Sequence, residues 1–223
     1  MSSPRGKSGG GQVQLTDWIL GFPDRLVFVE AKAVWIREDR IDGAPEGYLA
    51  FLRLKYGVTV SPGNRAHRKG IAQLAHSIRS LVSGEWTPDV PDLLTQQRIV
   101  PVLLVNDSLV DAPLHPWFLA REFARLLDPS LAEWNGQSIN VGSFVVDNLI
   151  VMTVDDLEAL EEATAKFSLA DLFEDYSKAC PDRLNSLHNY IVGDRKYGDA
   201  LVMSTRVRQA FSDALEEAAR TCG

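Results

Sequence analysis

Residues 16–33 read TDWILGFPDRLVFVEAKA, two apolar runs on either side of Phe22-Pro23-Asp24-Arg25. Proline fixes φ and aspartate favours turns, so the tetrapeptide predicts a tight reversal between strands over 12–22 and 25–36. If Phe22 faces Arg25, paired positions sum to 47. Ile19 then lies opposite Phe28, and Asp17 opposite Glu30, with Lys32 one step further along the same face. The other face carries Trp18 and Leu20 against Val27 and Val29, a core layer that pins the register. Directly opposed Cβ atoms stand roughly 5 Å apart, where two carboxylates repel, so Asp17 and Glu30 need a cation between them. Two carboxylates on a rigid sheet suit Mg²⁺, a hard ion that takes oxygen ligands and keeps several waters. A lysine beside them can orient a water and offset charge on a phosphate, so the pattern points to phosphodiester hydrolysis. Asp24 lies about 20 Å from Glu30 at roughly 3.3 Å per strand residue, and reads as a turn former rather than a ligand.

The chain has 223 residues, enough for one α/β domain with a substantial core. Its 45% hydrophobic and 24% charged residues are ordinary for a globular protein, and no apolar run is long enough to span a bilayer. That pattern, with only Cys180 and Cys222 as cysteines, predicts a cytoplasmic chain without a disulfide framework or a CxxC zinc site. The formal charge of −7 excludes a protein that coats nucleic acid by bulk electrostatics. Charge is unevenly spread, however. Phe51 to Gly84 holds Arg53, Lys55, Arg65, Arg68, Lys69 and Arg79 and no acid, whereas Val151 to Cys180 is strongly acidic. The four histidines are scattered with no HxxxH or HxH pair, which argues against a zinc enzyme.

Residues 1–11, MSSPRGKSGGG, read as a disordered leader, residues 12–192 as the α/β domain and residues 193–223 as a helical tail. Residues 37–64 read as a polar connecting stretch. The segment 64–84 carries Ile71, Leu74, Ile78, Leu81 and Val82 at helical spacing and stops at Gly84. Its opposite stripe, Lys69, Gln73, His76 and Ser80, with Arg65 and Arg68 at the start, could face a phosphate backbone. RIVPVLLVND (98–107) reads as a central strand with Pro101 at its start or at an edge. Helices are expected over 115–128 and 153–167, and one or two strands over 142–153. Strands interspersed with helices predict an α/β fold around a mixed sheet.

TDWILGFPDRLVFVEAKA followed by KGIAQLAHSIRSL (69–81) resembles the PD-(D/E)xK phosphodiesterase superfamily, whose members share a restriction-endonuclease-like core. The likeness covers residues 12–105. It implies a central mixed sheet flanked by helices, here with a C-terminal helical extension, and hydrolysis of nucleic acid, DNA by analogy, with Mg²⁺ or Mn²⁺. By position, Asp17 and Glu30 would be the metal-binding acids, Ala31 the residue lending its carbonyl, Lys32 the catalytic lysine and Gln73 a glutamine near the active site. Arg65, Arg68, Lys69 and His76 would bind substrate. The likeness implies neither a membrane partner nor an oligomeric state. A second match to the tripeptide, Asp194-Arg195-Lys196, sits in a glycine-flanked polar segment and serves as an internal control. The family usually begins with a helix and a strand bearing another acid, where this chain has only its glycine-rich leader before Gln12. The rival expectation is therefore a catalytically silent module of the same fold that binds nucleic acid or a protein.

Overall fold

A computed structural model of the chain describes residues 5–8, 11–14, 16–33, 45–60, 66–88, 97–112, 114–131, 136–161 and 163–199, together with Gln209 and Ser212. In chain order the elements are β1 (Arg5–Ser8), β2 (Gly11–Gln14), β3 (Trp18–Gly21), β4 (Leu26–Lys32), α1 (Pro45–Tyr56), β5 (Val58–Val60), β6 (Ala66–Arg68), α2 (Ile71–Val82) and β7 (Thr87–Pro88). They continue with β8 (Arg98–Val105), α3 (His115–Leu127), β9 (Ile139–Val141), β10 (Phe144–Val146), β11 (Ile150–Thr153), α4 (Val154–Glu161), α5 (Leu169–Ala179), α6 (Leu187–Gly193) and α7 (Arg195–Gly198).

Among the described residues the main sheet has six strands. Its order is β3-β4-β8-β10-β9, and β11 also pairs with β8. β3 and β4 are antiparallel, whereas β4, β10 and β11 all run parallel to β8. The chain is thus an α/β protein with a mixed sheet flanked by helices. The hairpin register is the one its turn predicts. Trp18 pairs with Val29, Ile19 with Phe28 and Leu20 with Val27, and the Phe22 N–H donates to the Arg25 carbonyl at 2.9 Å.

Period-two alternation splits the core into two layers. Leu26, Phe28, Ile99, Leu103 and Val105 pack with α1, α2 and α3 through Leu52, Leu74, Ile78 and Phe123. Val27, Val100, Val102, Ile150 and Met152 pack on the other face with Leu160, Phe173, Ile191 and Tyr197 of α4 to α7. Both parallel crossovers, β4 to β8 and β8 to β11, therefore run over the α1–α3 face. The C-terminal ends of β4, β8 and β11 lie together at one end of the sheet.

Three expectations are corrected. Residues 5–8 of the expected leader 1–11 pair as an antiparallel hairpin with residues 11–14, which reach into the strand expected over 12–22, and β1 also pairs with β7. The stretch 37–64 contains α1, whose Leu52 and Tyr56 are fully buried. Pro101 is buried in mid-strand, opposite Phe28, rather than at a start or an edge. The reason lies in its neighbours: β8 pairs with β10 as far as Ile99 and with β11 from Val102. The proline's missing N–H falls in the gap between those two partners, where no ladder bond is lost. The expected helix over 199–220 lies outside the described residues apart from Gln209 and Ser212.

Candidate active site at the carboxyl ends of the parallel strands

Glu30 continues the row of Leu26 and Phe28 onto the face covered by α2, and its side chain is fully buried. Lys32 Nζ forms an ion pair with Glu30 Oε1 at 2.6 Å, against a carboxylate that solvent does not reach. Burial pushes the Glu30 carboxyl up to about 7; Lys32 opposes this, and the charge of Asp17 adds to it. A carboxylate buried to this degree is a costly feature even beside Lys32, and a further electropositive partner would relieve it.

Asp17 sits one step beyond the last β3–β4 pair, where the chain bends at residues 16–17. The Phe22–Arg25 bond makes 20/27, 18/29 and 16/31 the hydrogen-bonded positions of this ladder. At the last of these, the Ala31 N–H goes to Asp17 Oδ2 at 2.8 Å instead of to a backbone carbonyl. Thr16 Oγ1 donates to the Val29 carbonyl at 2.7 Å and holds the bend against β4. Asp17, Trp18, Lys32, Asn106 and Val154 are among the residues lining an open pocket of about 370 Å³. The structure thus brings Asp17, Glu30, Ala31 and Lys32 to one sheet end.

The other predicted residues are distributed differently. Gln73 is half-buried on α2, the helix packed against the Glu30 face, and no distance ties it to the carboxylates. Arg68 and His76 line a separate pocket of about 330 Å³ with Arg79, Ser83, Glu85 and Leu126. That pocket lies on the side of α2 away from the Leu74 and Ile78 core contacts and shares no lining residue with the first. Burial, and then the charge of Arg68, lowers the His76 pKa below that of an ordinary imidazole. Lys69 is exposed just before α2, and its N–H donates to the Gly57 carbonyl at 3.0 Å. Arg65 lies outside the described residues. Ser80, placed on the polar stripe by spacing alone, is buried.

The internal control resolves differently from Glu30-Ala31-Lys32. Asp194 caps α7, accepting from the Lys196 N–H at 2.8 Å, and Lys196 Nζ pairs with Asp175 at 2.7 Å. Sequence reasoning passed over Asn106. Asn106 was findable, because an Asn-Asp pair directly follows the apolar run of the central strand.

Among the described residues no cluster of three or more His, Cys, Asp or Glu is arranged to hold a metal, and no helix is long and apolar enough to cross a membrane. No protein-family model matches this chain, and no curated protein or solved structure matches it.

Proposed function

We propose that the chain is a metal-dependent phosphodiester hydrolase of the PD-(D/E)xK type, with a restriction-endonuclease-like core, acting on DNA in the cytoplasm. The observation that carries the proposal is the fully buried Glu30 carboxylate, paired with Lys32 and near Asp17 at the carboxyl ends of parallel strands. The residues fit a hard divalent ion: Asp17 and Glu30 would hold Mg²⁺ or Mn²⁺ through carboxylate oxygens, with the Ala31 carbonyl as a third donor. Such an ion supplies Lewis acidity at the phosphate and activates water for attack. Lys32 places a fixed positive charge where the pentavalent phosphate gains negative charge, and β4 holds it rigidly. The bond from Asp17 to the Ala31 N–H fixes the acid against the strand bearing the other two groups. Arg68, at the end of β6, and His76, on α2, supply phosphate-backbone contacts that add affinity without sequence information.

The test is cleavage of duplex and single-stranded DNA with Mg²⁺ or Mn²⁺. Glu30→Gln and Lys32→Ala should each lower the rate at least ~100-fold while leaving the far-ultraviolet dichroism unchanged. Equal cleavage by wild type and Lys32→Ala overturns the assignment. A second reading, a silent module of the same architecture, is favoured by the lack of a three-residue metal cluster among the described residues. It predicts salt-sensitive DNA binding with no turnover in either metal.

A further inference from the structure

The pocket of about 330 Å³ on α2 has a chemistry unlike that of the candidate active site. Ala72, His76, Arg79 and Ser83 follow one another at spacings of three or four, which brings them to one side of the helix, and Arg68 joins them from the end of β6. Ala72 and Ala75 are buried in the lining, so a ligand can approach the helix closely between longer neighbours. The half-buried His76 feels the positive charges of Arg68 and Arg79 and the negative charge of Glu85, which sets three charged side chains around one imidazole. Among the described residues the exposed Arg68 guanidinium makes no hydrogen bond or ion pair, and Arg79 gives the Leu126 carbonyl one long bond at 3.5 Å. Two guanidinium forks left open beside a single carboxylate give the pocket a surplus of donors and of positive charge, and such forks match phosphate oxygens. Glu85 refines the choice of phosphate. A diester backbone continues on both sides and would bring a second phosphate towards its carboxylate. A monoester carries about −1.5 to −2 charges at pH 7, ends at the pocket and can offer Glu85 a hydroxyl of its alcohol part.

We propose that this pocket binds a phosphate monoester, with the guanidinium groups of Arg68 and Arg79 on its oxygens, His76 as a further donor and Glu85 accepting from a hydroxyl of the esterified part. The phosphate is either the end of a nucleic-acid strand or the group on a free nucleotide, since both present the same dianion. The site goes beyond the backbone contacts of Arg68 and His76 and stands independently of the hydrolase reading.

Binding is read on the full chain with chelator present, so that no metal takes part. Inorganic phosphate, a 5′-mononucleotide and its nucleoside are titrated while the imidazole proton resonances of the four histidines are followed, and His76→Gln assigns the His76 signal. That signal should move with phosphate and with the mononucleotide and stay still with the nucleoside. Arg68→Ala and Arg79→Ala should each weaken the mononucleotide at least ~10-fold. Arg68→Lys should restore only part of the affinity, because an ammonium lacks the fork. Arg195→Ala, on α7 across the sheet, should change nothing. Fluorescence anisotropy then compares one oligonucleotide with and without a terminal phosphate. Tighter binding of the phosphorylated form assigns the monoester to a strand end. Equal binding of the two forms, beside mononucleotide binding that depends on Arg68, assigns it to a free nucleotide, and either result supports the site. A His76 signal that neither phosphate nor mononucleotide moves overturns it, as does mononucleotide binding that Arg68→Ala and Arg79→Ala leave unchanged. A loss in Arg195→Ala equal to that in Arg68→Ala would be an effect of net charge and overturns it too. Because no metal is present, these outcomes leave the hydrolase proposal untouched, and a failure to cleave DNA leaves the pocket's ligand untouched.

Discussion

Glu30 is where the cost and the use of this site meet. Its carboxyl is raised from 4.5 to about 7 by burial, so the folded chain holds a proton there that the unfolded chain releases. A raised folded-state value gives stability that is complete below about 4.5 and is lost as pH climbs through about 7. Glu174 works in the opposite sense: Lys178 and then Arg25 bring it down to about 2, so its contribution is present above 4.5 and is lost as pH falls towards 2. Between about pH 4.5 and 7, Glu30 alone should therefore cost the metal-free protein up to ~3 kcal/mol as pH rises. Glu30→Gln should remove most of that alkaline loss, and Mg²⁺ should oppose it in wild type only. Urea unfolding at pH 5 and pH 8, with and without chelator, measures this; equal pH dependence in wild type and Glu30→Gln refutes it.

At the level of elements, the same tripeptide pattern has two fates, and a capping experiment separates them. Asp194 closes the first turn of α7 through the Lys196 N–H. Asp194→Ala should therefore cost ~1 kcal/mol in denaturant unfolding and leave DNA cleavage unchanged. A fall in cleavage that exceeds the loss of folded protein would count against this division of roles. The hairpin was legible in sequence because Pro23-Asp24 fixes the turn, and alternation from Trp18 to Val29 leaves one register that buries both apolar sets. α1 was not legible, since Pro45 and Gly47 punctuate it like a loop, and Leu49, Leu52 and Tyr56 show their purpose only once packed against the sheet. The wheel of α2 identified the Leu74 and Ile78 face but could not foresee which polar positions its other neighbours cover. Ser80 is buried for that reason, and His76 and Arg68 face a pocket apart from the carboxylates. Pro101 was misplaced because a gap between two successive partner strands is a property of topology and leaves no trace within the strand itself.

Across the whole molecule the sheet separates charge. The acidic run lies on α4 and α5, on one face, where Glu174 pairs with Lys178 and Arg25 and Asp175 pairs with Lys196. Arg68, His76 and Arg79 belong to the β6–α2 region on the other. With a formal charge of −7, the chain repels a polyanion at long range, and binding must come from cations concentrated in one place. If duplex DNA crosses α2, Arg68 and Arg79 each neutralise a phosphate, and each such contact contributes ~0.9 to the slope of log affinity against log salt. Arg68→Ala combined with Arg79→Ala should flatten that slope by ~2 and weaken binding alike for unrelated sequences. Mn²⁺ affinity should not change, because the basic pocket shares no lining residue with the one that holds Asp17 and Lys32. Fluorescence anisotropy over a salt series reads the slope, and calorimetry reads the metal. An unchanged slope would move the DNA path off α2, whereas a loss of Mn²⁺ binding would show that the two pockets are coupled.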